Sequence, residues 1–124
     1  MKTISLSAIA FVLLTAPAFA QAPAKTADTS KGKALVDAKG MTLYVFDKDA
    51  AGTSNCNGPC ATNWPPFMSA ADAKASGDWS IVTRDDGGKQ WAYKGKPLYF
   101  WKDDKKPGDV DGDNRGNVWH VAAP

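Results

Sequence analysis

The chain has 124 residues, with 15 Lys and Arg against 13 acidic side chains and a formal charge of +2 at pH 7. So even a balance, with no basic stripe interleaved with aromatics, excludes nucleic acid as the expected partner, and the length suits one core rather than two. All the acids are Asp and none is Glu; Asp favours turns and caps over helix interiors, so the composition leans towards strands and loops.

Lys2 is a short positive start, "ISLSAIAFVLL" is an apolar run too short to span a bilayer, and Ala18 to Ala20 form a small-x-small cleavage site. Residues 1–20 read as a signal peptide, since no second apolar run or stop-transfer cluster follows to make a membrane anchor. Cleavage near Ala20 predicts a soluble periplasmic or secreted protein with no membrane span. Residues 21–32, "QAPAKTADTSKG", show no periodicity and read as a disordered lead-in. A single β-rich domain is expected over residues 33–124.

Within it, "KALVDA" and "MTLYVFD" flank Lys39 and Gly40 as a hairpin. Cys56 and Cys60, in "CNGPC", read as a disulfide in an oxidising compartment; the spacing is neither that of haem attachment nor that of a thioredoxin-like motif. "NWPPFM" lacks two backbone donors at Pro65 and Pro66 and is expected as a rigid surface or edge segment. "SAADAKASGD" predicts one short helix over residues 69–76, capped by Ser69 and ended by Gly77. "WSIVTR", "KQWAYK" and "PLYFW" predict a three-stranded meander from Trp79 to Trp101, and "NVWHVA" a last strand.

Displaced by fifty-five positions, the chain matches itself without a gap. Lys39, Gly40, Leu43, Tyr44, Asp49 and Trp64 fall on Lys94, Gly95, Leu98, Tyr99, Asp104 and Trp119, and Phe46 falls on Trp101. Regular spacing confined to such positions marks a duplicated unit, here about 33–66 and 88–122, in which neither copy buries its face alone. The expected fold is mainly β: a small antiparallel domain of two pseudo-repeats with one short helix.

In each motif strand alternate residues face opposite ways, Tyr44 and Phe46 against Leu43 and Val45, Tyr99 and Trp101 against Leu98 and Phe100. Strands apolar on both faces belong in the middle of a structure. Asp49 and Asp104 lie just past the strand ends, where a carboxylate can accept from a Tyr hydroxyl or from loop N–H groups. Recurrence in both halves favours a structural corner over an acid–base pair.

Three places could carry chemistry. In "DVDGDNRGN", Asp109, Asp111 and Asp113 have the alternate spacing of a calcium loop, but Gly112, Asn114 and His120 depart from the EF-hand pattern. A solvated Asp/Gly turn, held by Asx turns and by salt bridges to Lys105, Lys106 and Arg115, is the preferred reading, and weak calcium the alternative. Cys56 and Cys60 with His120 and Met41 or Met68 would suit copper; the preferred reading of His120 is a strand histidine bonded to backbone. Five Trp and three Tyr leave some aromatics for binding something flat or apolar, with Trp64, Trp91 and Trp119 as candidates beside His120. A single His, and no nucleophile elbow or phosphate loop, give no recognisable catalytic constellation.

Together "GMTLYVFDKD", "CNGPCATNWPPF", "DGGKQWAYKGKPLYFWKDD" and "GDVDGDNRGNVWHV" resemble the secreted-repeat family of bacterial lipoproteins marked by a Tyr-x-(Phe/Trp/Tyr)-x-x-Asp motif, over about Lys33 to Ala122. The resemblance implies an exported β-rich repeat domain without an established activity. Many relatives look lipidated; this chain has no Cys near the cleavage site, so anchoring is not carried over. The expectation is a monomeric, non-enzymatic binding or interaction module for a small molecule or envelope protein, needing no cofactor. The rival is a redox or copper-handling protein built on Cys56 and Cys60.

Overall fold

The computed structural model of the protein describes residues 22–124, so the signal peptide expected over residues 1–20 lies outside the described residues. The chain opens with a hairpin of β1 (Lys25–Thr29) and β2 (Gly32–Val36) in antiparallel register from Lys25 opposite Val36 to Thr29 opposite Gly32. Residues 25–29 are therefore an edge strand and not a disordered lead-in. Their polar sequence hides this because the apolar burial comes from the partner, whose Ala34, Leu35 and Val36 are all buried, so context outweighs composition.

The hairpin expected around Lys39 and Gly40 forms. Asp37 accepts from the N–H groups of Lys39 and Met41, each at 2.9 Å, Gly40 takes the left-handed φ of 84° that the turn needs, and the Leu43 N–H donates to Leu35 at 2.9 Å. Next comes β3 (Tyr44–Phe46), antiparallel to β7 (Trp119–Val121). On its other side Tyr44 and Tyr99 exchange both backbone bonds, at 2.8 and 3.0 Å. Further bonds occur as pairs displaced by fifty-five residues. Asp47 N–H to Val118 matches Lys102 N–H to Asn63, and Ala122 N–H to Leu43 matches Phe67 N–H to Leu98. A pseudo-twofold axis thus passes between Tyr44 and Tyr99. Each motif strand takes both its neighbours from the other repeat, so the halves interlock.

The expected meander is present as β4 (Trp79–Thr83), β5 (Lys89–Tyr93) and β6 (Lys96–Pro97). β6 ends early because residues 98–101 turn to pair with Tyr44 and with the segment around Pro65. That segment is no mere edge. Pro65 accepts from the Phe100 N–H at 2.7 Å, while Phe67 donates to Leu98 and accepts from Trp91, so Pro65 serves as an acceptor where it cannot donate.

The short helix stands elsewhere than expected. It is α1 (Pro59–Asn63), which begins inside the loop closed by the Cys56–Cys60 disulfide and runs three residues past it, with Pro in its first turn. Residues 69–76 form no helix, since Ser69 donates its backbone N–H to Lys89 and Ser76 pairs with Trp79. Both ends are held by strands, and Ala-rich propensity is a weak prior against that.

Both faces of the motif strands are covered, as expected of central strands. Tyr44, Tyr99, Trp64, Trp101 and Trp119 meet in one cluster, and Leu35, Leu43, Leu98 and Ala122 in another. Trp64 lies parallel to Trp119 at 3.8 Å, and Phe46 and Trp101 extend this pair on either side at 4.2 and 4.4 Å. Trp64 and Trp119 are therefore the dyad-related centre of the core, 6% and 5% exposed, and not binding-surface aromatics.

Candidate binding cleft

The motif side chains bond across the axis. The Tyr44 hydroxyl donates to Asp104 and the Tyr99 hydroxyl to Asp49, each at 2.6 Å. The second oxygen of Asp49 accepts from the Asn55 N–H and that of Asp104 from the Asp111 N–H. Burial pushes both carboxyls above the usual carboxylate range, against the pull of these donors; burial and the facing carboxylates also push both phenols up. The two Tyr and two Asp thus spend their polar groups, and Phe46 and Trp101 their rings, on joining one repeat to the other, while the buried Trp101 indole N–H has no hydrogen-bond partner.

The two pairs differ in what backs them. Arg84, 5% exposed, donates to Ser54 at 2.9 Å, to Gln90 at 2.7 Å and to the Cys56 carbonyl at 2.6 Å. The Tyr99 hydroxyl has one proton and gives it to Asp49, so Ser54, 2.6 Å away, donates to Tyr99. A guanidinium and a carboxylate are in this way connected through two hydroxyls. Sequence reasoning missed Arg84, and only an Arg at the end of a strand pattern hinted at it. At the other pair the Gly112 N–H donates to Tyr44 at 3.2 Å. A Cβ on Gly112 would stand 2.9 Å from Tyr44 and Trp101 atoms, so only glycine fits there.

The aspartate loop divides. Asp104, Asp109 and Asp111 can each bring one oxygen within 4.8 Å of the others, and these are the residues that could share a cation. Asp113 leaves this group to accept from the Val121 N–H and to meet Lys31 at 4.0 Å. Asp109 accepts from the N–H groups of Lys105 and Lys106, which hold its carboxyl below the usual range. The salt bridges expected from Lys105, Lys106 and Arg115 are replaced by backbone bonds. Arg115 instead lies 4.4 Å over the Trp101 ring and donates to the Asp111 carbonyl. Cys56, Cys60 and His120 are not brought into one ligand group. The cysteines are joined, and His120 Nε2 lies 2.7 Å from an Asp47 carboxylate oxygen, not from backbone.

His120 does line a cleft of about 300 Å³, with Val45, Asp47, Lys94, Lys96, Leu98, Val121 and Ala122 in its walls. A second cleft of about 260 Å³ shares Val45, Asp47, Lys94 and Lys96 and continues over Ala51 and Gly95. Their pseudo-equivalents at the other end of the molecule are occupied. Phe100 and Phe67 stand where the cleft has Val45 and Ala122, and their rings meet edge to face at 5.6 Å. Pro107 packs on Gly40 there, at 3.0 Å from a Cβ built on it, where the open end has Ala51 at 3.7 Å from Gly95. Trp91 lines a separate cleft of about 330 Å³ with Trp79 and Tyr93, the two indoles set edge to face at 6.1 Å.

Among the described residues no helix is long and apolar enough to cross a membrane. No curated protein and no solved structure matches the chain. A family model for a secreted repeat of unknown function matches twice, over residues 25–68 and 80–123, the second match displaced from the first by the same fifty-five positions. With its two copies of the repeat unit interlocked about one axis, the chain belongs to this family of secreted repeats.

Proposed function

We propose that the protein is an exported, non-enzymatic binding module of the periplasm or cell exterior, and that the cleft beside His120 takes a small ligand. The observation that carries this reading is the unequal filling of two equivalent places. Phe67 and Phe100 close one end, while Ala122 and Val45 leave the other open. An open cleft of about 300 Å³ leaves its apolar lining without packing partners, whereas a ligand pocket needs such a concavity. Absence of catalysis is supported by the environment of the polar groups. Ser54, Tyr99 and Arg84 are buried and bonded to one another.

A fragment screen observed through the protein's own NMR signals tests this. Hits at millimolar concentration should move the signals of Val45, His120 and Val121, and a Val45→Phe variant should lose those shifts while staying folded. Hits confined to Trp79, Trp91 and Tyr93 would move the site to the aromatic cleft, and no cleft-mapping hit at either place would sink the reading.

A further inference from the structure

Resting on that reading of the cleft, we infer that its ligand is a small organic anion with an apolar body, held head-first by Lys94 and Lys96. The floor supplies the apolar part: Leu98 and Ala122 are buried beneath it, and Val45 and Val121 flank it half-buried. The rim supplies the charge. Asp47, the carboxylate in this wall, is taken by His120 at 2.7 Å, and among the described residues neither Lys94 nor Lys96 is ion-paired. Two ammonium groups, one of them 5.2 Å over the Tyr93 ring, against one carboxylate already hydrogen-bonded to His120 leave the rim net positive above an apolar floor, which favours a ligand that is anionic at one end and greasy at the other.

The two lysines are also presented by a fixed turn. Lys94 has a φ of 50°, a left-handed conformation unusual for a residue other than glycine, whereas its repeat partner Lys39 is not among the positive-φ residues. The turn is pinned on both sides, by the Lys94 N–H donating to Asp78 at 2.8 Å and the Gly52 N–H donating to Gly95 at 2.9 Å. Lys94 and Gly95 are the two central residues of the tight turn that joins β5 to β6, and such a turn requires left-handed backbone at both. The equivalent turn at the filled end pairs Lys39 with Met41 rather than with a second lysine, so the double cation belongs to the open end alone.

Benzoate, benzamide and inorganic phosphate separate the components. Titrated into the folded protein and followed by NMR, benzoate should shift Val45, Val121 and Leu98 signals and bind about tenfold more tightly than neutral benzamide. Phosphate should leave the Leu98 and Val121 signals in place. In a Lys94→Asn, Lys96→Gln variant, whose asparagine suits the left-handed turn, benzoate should fall to the affinity of benzamide. Equal binding of benzoate and benzamide to the parent would overturn the charge assignment and leave the cleft as a binding site. Benzoate binding unchanged in the double variant would overturn the role of the two lysines. No binding of either aromatic probe in the cleft would overturn this inference, while fragment hits there would still uphold the cleft.

Discussion

Tyr44 and Tyr99 are wholly buried, so the hydroxyl proton each gives to an Asp loses its acceptor if that Asp is lost. Asp49→Ala and Asp104→Ala should each cost about 1–3 kcal/mol, the penalty of a buried polar group without its partner. Tyr44→Phe and Tyr99→Phe should cost less, since each Asp keeps a backbone N–H donor. Denaturant midpoints decide, and Asp→Ala variants that unfold with the parent would show that the crossed bonds contribute nothing. The same carboxyls predict a pH effect. Burial raises their folded values above the unfolded one, so the stability they contribute is present below the unfolded value of about 3.9 and lost as pH rises through the folded values. Asp109, whose value is lowered, acts oppositely: its contribution is present above about 3.9 and lost as pH falls through its folded value. Between pH 6 and pH 4 the melting temperature of the parent should therefore rise relative to an Asp49→Asn, Asp104→Asn variant. A difference that stays flat or shrinks on acidification would contradict this.

Elements reveal why some of this fold was readable and some was not. The motif strands were legible because Gly, Leu, Tyr and Asp recur at one spacing, and their apolar residues on both faces required a central position. Which Asp serves which Tyr was not legible. Asp49 is five residues from Tyr44 but bonds Tyr99, and self-comparison of a sequence cannot tell a bond within a copy from one between copies. β1 escaped detection because an edge strand needs no apolar row of its own. α1 escaped because its five residues start at the Pro of a Gly-Pro step and carry the second Cys of the disulfide, and such a short helix is set by its tethers, not by periodicity. Of the cleft, His120 was legible, but Lys94, Lys96 and the empty places at Val45 and Ala122 appear only when the two ends are superimposed. At this scale the Cys56–Cys60 loop gives a further test. Thiol titration of the native protein should find no reactive thiol, and reduction should cost about 2 kcal/mol for so short a loop. Two free, metal-protected thiols would instead support the redox or copper-handling reading.

Across the whole molecule, the crossed bonds and exchanged strands make the two repeats one cooperative unit. Fragments spanning residues 22–68 and 79–124 should each be unfolded alone, because β3 would lack β7 and Tyr99, and residues 99–101 would lack Tyr44 and Pro65. Mixed in equal amounts they should recover the dispersed NMR spectrum of the parent, the segment between them being largely exposed. A folded spectrum from either fragment alone would show that the interlocking is not needed.

That interlocking also orders events in time. A chain made from its N-terminus onward presents Tyr44 and Phe46 long before Asp104, Trp119 and Val121 exist to receive them. The centre of the first half must wait until residues 119–121 have emerged, and only then can it close. Contacts this distant in sequence make such closure slow, and a core that closes so late leaves a secreted repeat time to be threaded across a membrane before it folds.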